Sequence, residues 1–190
     1  MRIITGVVKT TPTQWLPVLC NIYPPHTRRL IATAREWTKY TQNDTLPIHK
    51  DIPMNCTLRL KSRKPVCLTA NNLIENQFNG ENDWRTKWSL SNPDNHHLIK
   101  DPCSQIPGFS LKRREWVRLN RIRTGHGRCG EMLFKWGMKD SPACDCGHPS
   151  QTMEHIIGHC PIRAFNGTIN DIHGVSETAL AWLRSLDVLL

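Results

Sequence analysis

The stretch that decides how this chain folds is 142–161, which reads PACDCGHPSQTMEHIIGHCP. Two cysteines stand one residue apart near its beginning, and a histidine and a third cysteine follow, in the spacing CxCx8Hx4C. Structural zinc prefers four nitrogen and sulfur ligands in a tetrahedral arrangement. The spacing therefore predicts a zinc knuckle, and its ligands are Cys144, Cys146, His155 and Cys160.

An alternate ligand is His159, because His155 and His159 are four residues apart and can face one metal from a single helical turn. We prefer Cys160, since a thiolate binds zinc more tightly than an imidazole and Pro161 ends the helix where the sulfur can fold back. His148 is a weaker candidate. A closed site of four protein ligands has no catalytic role and contributes folding energy instead.

A basic run precedes the knuckle, and residues 112–136 carry a net charge of +6. Trp116, Leu119 and Ile122 recur every three residues, which predicts a helix that Ser110 can cap. Arginine grips phosphate with two hydrogen bonds and stacks on bases, so this helix is predicted to bind nucleic acid without sequence specificity, although a solvated face is the simpler alternative. The predicted contacts are Lys112, Arg113, Arg114, Arg118, Arg121, Arg123, His126 and Arg128.

The pattern of the whole chain predicts a mainly α fold in four segments. Residues 1–42 are helical, and 43–106 form a loop-rich linker with short helices, one of which places two tryptophans on a buried face. Residues 107–165 hold the basic helix pair and the zinc knuckle. Residues 166–190 form an amphipathic helix that Ser176 caps.

Composition limits the partners and the compartment. The net charge is +9, which favours a polyanion such as nucleic acid. Clustered cysteines without a secretory signal are typical of a reducing compartment, where they bind metal. No apolar run approaches the roughly 18 residues of a membrane span. We therefore expect an intracellular protein of the nucleus or cytoplasm, with no membrane partner.

Several long strings resemble one known family. They are TPTQWLPVL at 11–19, WVRLNRIRTGHGRC at 116–129, KWG at 135–137, and the knuckle itself. Together they resemble the carboxy-terminal region, after the polymerase core, of the reverse transcriptases of jockey-type non-LTR retrotransposons of arthropods. The resemblance covers most of the chain and is strongest over 107–165.

The resemblance implies an upstream endonuclease and a polymerase with paired catalytic aspartates, followed by a tail that helps to hold template RNA or target DNA. No two aspartates are adjacent in this chain. We therefore expect a fragment that is not itself an enzyme. The alternative is a zinc-stabilised protein-interaction module that docks on a polymerase core, and the dependence of binding on salt separates the two.

Overall fold

The computed structural model describes residues 1–51 and 65–188, and within these ranges the chain forms helices and no strand. The predicted mainly α fold is confirmed. The helices of the described residues are α1 (Arg2–Thr5), α2 (Trp15–Cys20), α3 (Pro25–Gln42), α4 (Val66–Glu75), α5 (Gly80–Ser89), α6 (Arg113–Thr124), α7 (Gly130–Lys135), α8 (Ile169–His173) and α9 (Glu177–Ser185). Single turns of 3₁₀-helix occur at Pro47–Asp51 and His96–Leu98, and a π-helical turn occurs at His155–His159.

The contacts divide the chain into two units, which do not follow the four segments drawn from the sequence. One unit joins Met1–Ile22 to Ser91–Leu190, and the other is Tyr23–Leu90. The predicted helical segment 1–42 is thus shared between the two units. The predicted linker 43–106 contributes two ten-residue helices, α4 and α5, to the Tyr23–Leu90 unit.

In the Tyr23–Leu90 unit, α3 packs against α4 and α5. The side chain of Asn79 accepts hydrogen bonds from the backbone N–H groups of the first turn of α5, and so caps it. Trp84 and Trp88, four residues apart on α5, are each only 4% exposed. Both rings therefore serve the core of this unit, as their spacing predicts.

Helix α6 lies at the centre of the other unit, in contact with α1, α8 and α9. Its predicted apolar face is buried, and Leu119 and Ile122 are fully inaccessible. The helix begins at Arg113, however, and Ser110 does not cap it. Gly108 has a positive φ of 83°, and the N–H of Leu111 binds its carbonyl, so Ser110 lies inside a turn.

The carboxy-terminal helix α9 begins after Ser176, whose hydroxyl oxygen accepts a hydrogen bond from the N–H of Ala179. On its apolar face Leu183 is fully buried and Leu186 is 4% exposed. Among the described residues, no helix has the length and apolar character needed to span a membrane.

Candidate metal centre and basic helix

The structure gathers three cysteines and one histidine into a single cluster. The metal-binding atoms of Cys144, Cys146, His155 and Cys160 all lie within 4.8 Å of one another. The sulfurs of Cys144 and Cys160 are 3.9 Å apart, and the sulfur of Cys146 is 3.2 Å from Nε2 of His155. A cluster of this composition can hold a metal ion.

The first two residues of the cluster, Cys144 and Cys146, lie on a tight turn. The N–H of Cys144 donates to the carbonyl of His148, and the N–H of Gly147 donates to the carbonyl of Cys144. Gly147 has a φ of 92°, a conformation that residues with side chains rarely adopt. This turn brings the sulfurs of Cys144 and Cys146 to the same side of the chain.

The other two residues of the cluster are His155, which begins the π-helical turn, and Cys160, which directly follows it. Its wider winding pairs the N–H of Cys160 with the carbonyl of His155, five residues earlier, at 2.7 Å. Residues five apart then lie on one face, whereas an ordinary α-helix aligns residues four apart. Cys160 therefore joins His155, and His159 points away with 69% of its side chain exposed.

Two side chains outside the predicted ligand set, Gln151 and Arg163, support the cluster. Gln151 donates from Nε2 to the sulfur of Cys144 at 3.4 Å, and Arg163 donates from Nη1 at 3.7 Å. Burial would raise the pKa of the Cys144 thiol, but hydrogen bonds from the backbone of Cys146 and from Gln151 outweigh it and lower the pKa to about 6. The thiolate needed for metal binding is thereby stabilised.

Arg163 also ties the knuckle to the end of the chain. Its guanidinium contacts Asp145, inside the CxC turn, at 2.6 Å, and Asp187, after α9, at 2.6 and 2.7 Å. These carboxylates, Asp187 above all, raise the pKa of the guanidinium. The carbonyl of Arg163 accepts a hydrogen bond from the indole of Trp182 at 2.7 Å. One buried arginine thus connects the CxC turn to the carboxy-terminal helix.

The histidines outside the cluster have other surroundings. The ring of His148 stacks on His155 with centroids 4.2 Å apart. His126 lines a cleft of about 630 Å³ beside the knuckle, together with Glu131, Glu154 and His159. Burial lowers the pKa of His126 despite the nearby Asp94. The carboxylates of Asp94, Glu131 and Glu154 thus share this cleft with His126.

Two of the arginines predicted to bind nucleic acid, Arg118 and Arg123, are buried. Arg118 is 4% exposed and donates to the carbonyls of Leu183 and Leu186, at 2.6 and 2.9 Å. Arg123 is fully buried and donates to the carbonyls of Pro107 and His173, at 2.7 and 2.8 Å. Burial lowers the pKa of Arg123 to about 9. The expectation that Arg118 and Arg123 contact phosphates is wrong for this structure, because internal carbonyls occupy both guanidiniums.

The remaining predicted cations lie nearer the surface. Lys112 and Arg114 are exposed, and Arg128 is half-buried. Arg113 donates to the carbonyls of Ile3 and Ile4, and Arg121 donates to that of Gly6 at 2.9 Å. Burial, and then the positive charges of Arg128 and Arg113, lower the pKa of Arg121. The charges of Arg113 and Arg128 therefore both act on Arg121.

These features define a helical chain with a small Cys₃His cluster beside a basic helix. Three proteins similar to it are all Pol polyproteins of R1 retrotransposable elements. It is 29% identical over 85 residues to a Retrovirus-related Pol polyprotein from type-1 retrotransposable element R1 of Bradysia coprophila, an alignment covering 42% of this chain and 8% of the relative. Two R1 Pol polyproteins of Nasonia vitripennis are 32% identical over 79 residues and 27% identical over 101 residues. Those alignments cover 40% and 52% of this chain.

The relatives confirm the resemblance to non-LTR retrotransposon polyproteins. The matched region spans only 8%, 19% and 26% of the lengths of these relatives. No protein-family model matches the chain. No solved structure matches it either.

Proposed function

We propose that this chain is a zinc-stapled part of a retrotransposon Pol polyprotein that binds template RNA or target DNA without sequence specificity. The chain itself carries out neither polymerase nor endonuclease chemistry. Phosphoryl transfer by two metal ions needs clustered carboxylates, and the sequence contains no adjacent aspartates. The metal cluster has four protein ligands and so leaves no position for a reacting group.

The donor set supports zinc as the ion. Three thiolates and one imidazole are soft ligands in the number that tetrahedral zinc takes. Zinc bonds of about 2.3 Å to sulfur and about 2.0 Å to nitrogen place neighbouring ligand atoms roughly 3.5 to 3.8 Å apart. The separations of 3.9 Å and 3.2 Å bracket this range. Zinc would join the CxC turn to the π-helical turn and stabilise the fold of a segment with a small core.

The observation that carries nucleic-acid binding is the group of cations at the surface of α6 and just after it. Lys112 and Arg114 are exposed, Arg128 is half-buried, and the charges of Arg128 and Arg113 lower the pKa of Arg121. Like charges held together cost free energy, which an anion bound among them recovers. Lys112 and Arg114 flank the amino terminus of α6, where the helix dipole also favours an anion. The proposed binding surface therefore consists of Lys112, Arg114 and Arg128, with Arg113 and Arg121 beside them, rather than the whole basic run.

The test is a salt titration of binding by the zinc-loaded chain. Affinity for a short duplex or single strand should fall steeply as salt rises. Arg114→Ala and Arg128→Ala should each lower the slope of log affinity against log salt by about 0.7 to 0.9, the share of one phosphate contact. Arg85→Ala, whose side chain pairs with Glu81 on α5, is the control and should leave the slope unchanged. Binding that is indifferent to salt would contradict the proposal.

A second candidate function is docking on a polymerase core. Ile3 and Ile4, beside the amino terminus of α6, are 90% and 51% exposed and form an apolar surface. Binding through this surface should hardly respond to salt and should weaken in Ile3→Asp. The test measures whether this chain binds the polymerase part of a relative. Binding that is indifferent to salt and is weakened by Ile3→Asp would favour docking.

A further inference from the structure

An exposed aromatic surface lies at the end of α7. Phe134, Trp136 and Met138 are 46%, 37% and 61% exposed. The chain has seven tryptophans. Trp136 is exposed, whereas the other six are buried or half-buried. We call Phe134, Trp136 and Met138 the aromatic turn.

The backbone holds the aromatic turn in one conformation. Gly137 has a φ of 68°, and its N–H donates to the carbonyl of Phe134 at 2.9 Å. The N–H of Met138 donates to the carbonyl of Leu133 at 2.8 Å. This pair of bonds closes the end of a helix in a Schellman motif, and Gly137 is the residue that permits it.

The knuckle anchors the aromatic turn at both ends. At the start of α7, the N–H of Gly130 donates to Oε1 of Gln151 at 2.9 Å, and Nε2 of the same side chain reaches the sulfur of Cys144. After the turn, Lys139 donates from Nζ to the carbonyl of Ala143, next to the same cysteine, at 3.1 Å. A metal ion that holds Cys144 would therefore also hold the two ends of the segment that carries the aromatic turn.

The charges beside the aromatic turn are balanced in number, with Glu131 and Asp140 against Lys135 and Lys139, but the two lysines are the ones interleaved with the apolar side chains. Lys135 and Lys139 alternate with its apolar side chains, whereas lysine is depleted from the cores of protein interfaces. Lys135 pairs with Glu131 at 2.8 Å, but its side chain is 58% exposed, and such a surface pair contributes little. A phosphate can take the place of that carboxylate.

We propose that the aromatic turn stacks on unpaired bases of a single-stranded nucleic acid, while Lys135 and Lys139 contact its phosphates. This inference rests on the proposed function and names the form of nucleic acid that it selects. Bases stack on exposed aromatic side chains whatever their sequence, and a duplex keeps its bases out of reach.

The experiment compares a short single strand with a blunt duplex of the same length, at one salt concentration, using the full zinc-loaded chain. Trp136→Ala and Phe134→Ala should each weaken single-strand binding about tenfold and leave duplex binding unchanged. Trp136→Phe should keep most of the affinity because it keeps a ring. Ile162→Ala removes another exposed apolar side chain, 59% exposed, and should change nothing. Melting temperatures verify that the variants are folded.

A spectroscopic signal reports stacking directly. A single strand that carries 2-aminopurine should lose fluorescence on binding the wild-type chain and keep it with Trp136→Ala. Unchanged single-strand affinity in both alanine variants would overturn the inference and leave the proposed function intact, provided that salt-dependent binding persists. A wild-type chain that binds neither strand nor duplex would instead overturn the proposed function, and this inference with it.

Discussion

Replacing Arg163 by methionine tests whether the knuckle and the carboxy-terminal helix depend on each other. The change removes three hydrogen bonds to carboxylates, two to Asp187 and one to Asp145, with lengths of 2.6 to 2.7 Å. Hydrogen bonds to charged groups contribute about 1.5 to 3 kcal/mol each when buried. Here the carboxylates are 61% and 62% exposed and regain water when the arginine is lost, so each bond counts for less.

The expected loss of unfolding free energy is therefore about 2 to 3 kcal/mol in total. For a chain of this size, that lowers the melting temperature by roughly 4 to 12 °C. A second loss concerns the metal. Three thiolates and a divalent ion leave one net negative charge, and Arg163 lies 3.7 Å from the sulfur of Cys144. Changing such an outer partner typically weakens metal binding about 10- to 100-fold.

Zinc affinity is measured by competition with a coloured chelator, and stability by thermal unfolding of the zinc-loaded chain. Arg184→Met, on α9, is the matched control, since Arg184 is 60% exposed and pairs with Glu115 at 2.7 Å. It should cost at most about 1 kcal/mol and leave zinc affinity unchanged. The coupling is refuted if Arg163→Met and Arg184→Met bind zinc equally tightly.

Three further outcomes are expected. Cys160→Ser should lose bound zinc, measured by elemental analysis, while His159→Ala keeps it, because His159 lies outside the cluster; zinc loss in His159→Ala would contradict the assigned ligands. Arg123→Met should lower the unfolding free energy in denaturant titrations by about 2 to 4 kcal/mol, because the buried carbonyls of Pro107 and His173 lose their hydrogen-bond donor. A loss below about 0.5 kcal/mol, as for a surface residue, would contradict the interior role of Arg123. Burial, and then the charge of Arg123, lower the pKa of His173 from 6.5 to about 4. Between pH 6.5 and about pH 4 the unfolded state therefore binds more protons than the folded state, so the free energy of unfolding falls as the pH drops through this range. His173→Asn keeps an acceptor for Arg123 and should remove this part of the pH dependence; identical pH profiles for the two proteins would refute it.

The spacing of cysteine and histidine identified the four side chains that the structure brings together, but for an incomplete reason. Ligand strength and Pro161 favoured Cys160 over His159. The structure adds the deciding geometry, the π-helical turn, in which the N–H of Cys160 binds the carbonyl of His155. A helix of ordinary winding has the same apolar pattern, so the sequence offers no signal for the extra residue in this turn. The supporting roles of Gln151 and Arg163 likewise depend on contacts between distant parts of the chain.

Periodicity located the apolar face of α6 but misjudged its arginines. Arg118 lies two residues beyond Trp116, on a flank that a charge pattern assigns to solvent. Its partners are the carbonyls of Leu183 and Leu186, 65 and 68 residues further along the chain. Arg118 is buried because the end of α9 packs against this side of α6. A single sequence does not show where so distant a helix ends.

The placement of these side chains gives α6 a structural role that its charge conceals. Arg118 binds carbonyls at the end of α9, Arg123 binds the last carbonyl of α8, and Arg113, Asn120 and Arg121 bind those from Ile3 to Gly6 at the end of α1. Helix ends expose unpaired carbonyls with partial negative charge, which cations and amide donors satisfy. One helix thus caps three neighbours. These contacts give Arg118, Asn120, Arg121 and Arg123 structural roles, so their presence in the sequence says little about nucleic acid. The case for binding depends instead on cations that cap nothing, chiefly Lys112, Arg114 and Arg128, and these are the positions at which substitution should change affinity without changing stability.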